Sequence, residues 1–170
     1  DNAGTVEVEG LDANYDVAKE TITIGGSAGS TSFIRVYRVV MKTANTGNAN
    51  VGVITVTVSS TTVAKIQAGY GQTLMCVYTV PRNHIAYLMQ IDIGSSKDLE
   101  NEIRFITKEI SNGNVWNTRA FITTRGGFME KNYVIPVIIT EKTDIELIAK
   151  ASATSSISGG FELVLQDLQE

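Results

Sequence analysis

The chain of 170 residues has one cysteine, one histidine and two prolines. A single cysteine cannot close a disulfide within the chain. Together with the single histidine it cannot supply the four ligands of a structural zinc site. A serine or cysteine nucleophile needs a general base, usually histidine, and His84 is the only one. Positive charge is also scarce: 14 Lys and Arg stand against 18 Asp and Glu, a net charge of −4. Nucleic-acid-binding domains carry the opposite balance. No apolar run approaches 18 residues, so no membrane-spanning helix is expected. Neither nucleic acid nor membrane is therefore an expected partner. No Asn-X-Ser/Thr sequon and no signal peptide are visible. Leucine occurs only 8 times.

What is abundant is β-branched. Val, Ile and Thr number 17, 18 and 19, about a third of the chain. These side chains lose freedom in helices and fit a pleated sheet. Fifteen glycines suit many tight turns. At 43% hydrophobic and 19% charged, the chain can bury a core without metal or disulfide.

Alternating runs recur at short intervals. Residues 5–9 and 20–24 alternate, and 33–41 form a longer run. Residues 43–50 read as a loop, and 53–58 and 62–67 as strands about a Ser59-Ser60 turn. Residues 72–80 and 85–93 read as a hairpin about Pro81-Arg82-Asn83-His84. Residues 94–100 are the best place for a short helical turn or loop. Strands follow over 101–110 and 115–124, separated by Ser111-Asn112-Gly113, and again after Arg125-Gly126-Gly127. Pro136 cannot donate to a ladder, so its strand should have an edge or a bulge there. Residues 144–151 and 161–165 complete the set. The expected fold is all-β, an antiparallel, jelly-roll-like sandwich with little or no helix. Residues 31–170 would form the sandwich and residues 1–30 an N-terminal arm or hairpin, possibly part of the same domain.

Chemical motifs are few. Cys76 sits in an apolar run and reads as a small buried hydrophobe. His84 reads as a turn residue. The run Gly25-Gly26-Ser27-Ala28-Gly29-Ser30 lacks the Lys-Ser/Thr ending of a phosphate loop, and Arg125-Gly126-Gly127 reads as a turn. Glycoside hydrolysis needs only two carboxylates, for which Glu109, Glu130, Asp144 and Glu146 are candidates, though spacing pairs none of them. Asp12 and Asp16 could offer oxygens to calcium, which wants six or more. No catalytic, cofactor or metal residue is nominated. Trp116 and Tyr70 are candidate interface or sugar-stacking residues, with a place in the core an equal alternative.

Residues 66–81, Ile-Gln-Ala-Gly-Tyr-Gly-Gln-Thr-Leu-Met-Cys-Val-Tyr-Thr-Val-Pro, followed by Ala86-Tyr87-Leu88, resemble virion structural proteins of tailed bacteriophages, marine ones in particular. So do Gly10-Leu11-Asp12-Ala13-Asn14-Tyr15, residues 139–147 and residues 158–165. The likeness runs through nearly the whole chain in order. It departs at the hairpin tip, where Pro-Ala-Gly-Lys-Thr is replaced by Pro81-Arg82-Asn83-His84-Ile85. Asn83 tolerates the left-handed conformation that the missing glycine would take. The family tends to have more chain ahead of Gly10, so Asp1 is expected to be a processed or truncated start. The resemblance implies a non-enzymatic virion component without cofactors, assembled in the host cytoplasm. A capsid decoration or cement protein fits best, binding the major capsid protein or other virion proteins as a homo-oligomer, commonly a trimer. The alternative is a receptor- or carbohydrate-binding module of a tail fibre or spike, and a polysaccharide-degrading enzyme is a third reading.

Overall fold

The computed structural model describes residues 4–44, 47 and 49–168. Asp1 and part of the loop expected over 43–50 lie outside them. The chain divides into two compact units, Asp1–Met75 and Cys76–Glu170. The division expected near residue 30 is crossed by strand pairing within the first unit, and the break falls inside the run 66–81. Every pairing is antiparallel and the one helical element among the described residues is a 3-10 turn, Ile110–Asn112. The all-β antiparallel class read from the sequence is what the chain adopts. No pairing is specific to a jelly roll.

In the first unit, β1 (Thr5–Asp12) lies between β2 (Val17–Thr23) and β3 (Phe33–Thr43). The hairpin of β4 (Ile54–Val58) and β5 (Thr61–Ile66) supplies a second layer. Val6, Val8 and Val39 of the sheet pack with Ile54, Ala64 and Ile66 of the hairpin. The alternate residues of β1 carry charge. Glu9 bridges Lys19 at 2.9 Å and Arg38 at 3.5 Å, and Glu7 meets Lys42 at 3.2 Å. Burial pushes the Glu9 carboxyl up, but the Lys19 hydrogen bond and charge, with Arg38, hold it below its ordinary value. Gly10 is required by close approach, since a Cβ there would stand 1.9 Å from the Arg35 carbonyl oxygen.

Two polar residues organise the loops of this unit. Asn50 is buried; its Nδ2 donates to the carbonyls of Gly52 (2.7 Å) and Gln67 (2.8 Å), and its Oδ1 accepts from the Gly71 N–H (3.0 Å). Glu20 accepts the N–H groups of Ser30 (2.7 Å) and Thr31 (2.8 Å) and the Ser30 hydroxyl (2.9 Å). The loop that superficially resembles a phosphate cradle therefore closes on a carboxylate of its own chain.

The second unit is built on one long hairpin. β7 (His84–Glu109) pairs along its length with β8 (Trp116–Ile139). The other side of β7 is shared. Its first part pairs with β10 (Ile157–Asp167), its last part with β9 (Thr143–Ala151), and β9 carries the short β6 (Val77–Thr79). Between these parts residues 96–99 face Gly126 alone. Gly126 and Gly127 both have positive φ, and a Cβ on Gly126 would press the Asp98 backbone at 3.1 Å. The hairpin bends there, as strands do where they pass from one layer to another. Ala86, Leu88, Ile91 and Ile93 ahead of the bend share one core with Ile103, Phe105, Ala120, Ile122 and Ile145 beyond it. Phe105 and Phe161 meet edge-on at 5.7 Å.

Two expectations are corrected here. Residues 72–93 do not form a hairpin: Gln72 and Thr73 bond to β3 in the first unit, and the surviving β6 pairs with β9. Residues 94–100 are neither a loop nor a helical turn, because β7 runs through them. Ser96 and Glu100 bond the backbone of Ser156 and Ser152, and Asn101 donates to Ser95 Oγ and the Leu99 carbonyl. Other local readings match. Asn83 has φ 59°, Gly113 closes the 3-10 turn with φ 70°, and Pro136 lies where residues 133–136 bulge against Met89.

Ser59 and Ser60 form the two-residue turn of β4–β5 with φ of 47° and 69°. That geometry favours Asn-Gly, since a left-handed residue with a Cβ costs about 1–2 kcal/mol. The double substitution Ser59→Asn and Ser60→Gly should raise the unfolding free energy by about 1 kcal/mol, read by urea denaturation.

Candidate interaction surfaces

The four carboxylates considered for catalysis are spread along the second unit and engaged separately. Glu109 of β7 is ion-paired with Arg119. Glu130 of β8 accepts from Asn132 Nδ2 at 2.6 Å. Asp144 and Glu146 alone come together, two residues apart on one face of β9. Asp144 is buried, with Oδ1 accepting the Thr79 hydroxyl at 2.7 Å and Oδ2 facing Lys108 Nζ at 2.9 Å. Its two oxygens are thus committed to bracing β6, β7 and β9. Burial raises the Glu146 carboxyl above its ordinary value, the neighbouring Asp144 raises it further, and Lys108 opposes both.

Trp116 belongs to the same cross-strand row. It pairs in register with Lys108, which pairs in turn with Asp144. The Lys108 ammonium lies 4.9 Å from the indole centroid, a cation–π distance. Trp116 remains 40% exposed. Tyr70 is exposed in the Gly69–Gly71 turn of the first unit. The two aromatics nominated from the sequence therefore belong to different units, each with its own surroundings.

The remaining candidates serve the scaffold. Asp12 Oδ1 accepts the N–H groups of Asn14 (2.8 Å) and Asp16 (3.0 Å), fixing the β1–β2 turn. His84 is the first residue of β7. Its Nδ1 lies 2.7 Å from the Arg82 carbonyl and its Nε2 2.7 Å from Asp167, so it ties the turn to the end of β10. Cys76 is half-buried rather than enclosed, and burial pushes its thiol up to about 11. Arg125-Gly126-Gly127 is part of the bend in β8, not a turn between strands. Among the described residues no group of three or more His, Cys, Asp or Glu side chains could hold a metal ion, and no helix is long and apolar enough to cross a membrane.

Sequence reasoning missed the apolar surface of β8. Among the described residues this strand pairs with β7 alone, so its other edge is unpaired along its length. Phe121, Phe128, Val134, Ile135 and Ile138 are exposed on it, Val134 at 98% and Ile135 at 84%. Val164 and Tyr87 lie in one row with Ile138. The run Tyr133-Val134-Ile135-Pro136-Val137 is apolar apart from Pro136, which was the available sign of an edge or bulge. In the first unit, a cleft of about 330 Å³ is lined by Thr62, Val63, Ala64, Lys65, Gln67, Gln72, Leu74 and Met75.

With this geometry established, comparison with known proteins finds no matching family model, curated protein or solved structure.

Two pH effects follow. Glu146 is raised above 4.5 in the folded chain, so its cost appears as pH rises through its folded value and is absent well below 4.5. Glu146→Gln should raise the melting temperature at pH 7, with no gain at pH 3. Glu20 is the reverse case: the Ser30 and Thr31 N–H groups lower it to about 2. Its contribution is present above 4.5 and lost as pH falls toward 2. Glu20→Gln should lower the melting temperature at pH 7, and the difference should shrink over that window in a melting series.

Proposed function

We propose that this protein is a non-enzymatic virion structural protein of a tailed bacteriophage, a decoration or cement protein that binds and stabilises the capsid. The single observation that carries an adhesive role is the unpaired edge of β8 with its exposed apolar side chains. Monomeric proteins rarely leave such surface uncovered, and partner interfaces use it. An unpaired edge also invites a further strand or a covering surface. The phage setting rests on the four resembling stretches. They fall on the β1–β2 turn, on the segment organised by Asn50, on the β8–β9 connection and on β10. These are places where sequence sets backbone geometry, which suits a shared scaffold rather than a shared reaction.

A second reading, a receptor- or carbohydrate-binding module of a tail fibre or spike, is favoured by Trp116. Its exposed ring lies in a row with Lys108 and Asp144, and Glu146 is on the same face of β9. Sugar sites combine such an aromatic face with polar groups at its rim.

Capsids stripped of their accessory proteins provide the test. The purified chain should rebind them saturably and raise the temperature at which they open. Absence of rebinding, together with clear glycan-array hits abolished by Trp116→Ala, would replace this reading with the second one.

A further inference from the structure

We propose that His84 is a proton-operated latch on β10: as an imidazolium its ring holds the end of that strand to the Pro81–His84 turn, and as a neutral imidazole it lets that end go. The ring is held between two acceptors. Nδ1 lies 2.7 Å from the Arg82 carbonyl oxygen and Nε2 2.7 Å from Asp167 Oδ1. A backbone carbonyl and a carboxylate accept hydrogen bonds and donate none, and a neutral imidazole carries a single N–H. Both contacts are hydrogen bonds only when the ring is doubly protonated.

Which contact is lost with the proton follows from the chain. The Arg82 carbonyl is two residues away within the same turn, so the neutral ring keeps its hydrogen on Nδ1, as imidazoles bonded to a backbone carbonyl do. Nε2 then turns a lone pair on the Asp167 carboxylate, and attraction becomes repulsion. Asp167 is the last residue of β10 and pairs in register with His84. Beside it the Leu168 N–H donates to the Asn83 carbonyl at 2.8 Å, and Gln166 Oε1 accepts the Tyr87 hydroxyl at 2.9 Å. These bonds alone hold the strand end once the ion pair opens.

The other charged groups at this end come from the turn and from the β8–β9 connection. Arg82 belongs to the turn, Glu141 accepts the Asn83 N–H at 2.6 Å, and the Lys142 N–H donates to the Val80 carbonyl at 2.8 Å. Carboxylates, lysine and arginine ordinarily change charge outside the range from about pH 5.5 to about pH 8.5, and histidine inside it. The Asp167 side chain is 75% exposed, so water weakens the contact. The latch is therefore a light one, suited to loosening a strand end rather than unfolding the unit. It lies wholly within the second unit and stands whether or not the capsid reading does.

The test reads amide exchange by NMR on the full chain from about pH 5.5 to about pH 8.5. Rates are expressed as protection factors, which divide out the intrinsic rise of exchange with pH. Protection at Leu168 should fall about two- to fivefold as pH rises, the size expected of an exposed ion pair. The mid-strand amides of residues 159–162 should stay level. His84→Phe should hold the low value at every pH. Asp167→Asn should reverse the sign, because its amide donates to the neutral Nε2, and protection should then rise with pH. Nitrogen NMR of the ring should place the single proton of the neutral form on Nδ1. Level protection at Leu168 in the unaltered chain overturns the latch. So does Asp167→Asn with the unaltered sign, or a neutral ring protonated on Nε2, which would still donate to Asp167. Should a variant fail to fold, the profile and the ring spectrum of the unaltered chain decide alone.

Discussion

The second unit depends on β7 being hydrogen-bonded on both sides. β8 follows it along one side, and β10 and β9 divide the other between them. Because those two neighbours take successive parts of the strand, the sheet can fold over at residues 96–99 without any part of β7 losing a partner for long. Folding over then places Phe105 against Phe161 and gives both layers one core. The free edge on β8 follows from the same arrangement, since both sides of β7 are taken and no further strand reaches beyond the hairpin.

The first unit solves a different problem. Its sheet has only three strands and its second layer only two, so much of its order comes from polar side chains bonded to backbone. Asn50 gathers the backbone of Gly52, Gln67 and Gly71; Glu20 gathers Ser30 and Thr31. Asn50, which is buried, fixes one loop geometry in this way, and left without partners would cost about 1–3 kcal/mol. Glu9 is itself buried, but its partners Lys19 and Arg38 are about half exposed, so water screens its bridges from their side.

Where one face is buried and the other wet, the sequence was legible, because alternation is the direct signature of that condition. β1 and β2 are read this way. Turns were legible where backbone chemistry is restrictive, as at Ser59-Ser60, Asn83 and Gly113. Residues 94–100 misled because their Ser, Lys and Asp content is that of a loop, while their partners in 152–156 are distant in sequence. The hairpin reading of 72–93 failed for a related reason: one apolar run is divided between two units with no change in composition. The surface was the least legible part. Val134 and Ile135 are hydrophobic like their buried neighbours, and only the register of β8 against β7 reveals that they face outward. For Trp116 the sequence left exposed and core placements open, and its ammonium neighbour comes from a strand pairing that spacing does not give.

The pairing of β7 with β8 has a mechanical meaning. A pull on the bulge along the strand direction, away from the bend, is resisted together by the rungs from Gly127 to Asn132. Such rungs must slide past one another as a group rather than open in turn. Tension transmitted through this projection is thus met in shear, the loading direction in which an antiparallel ribbon yields last.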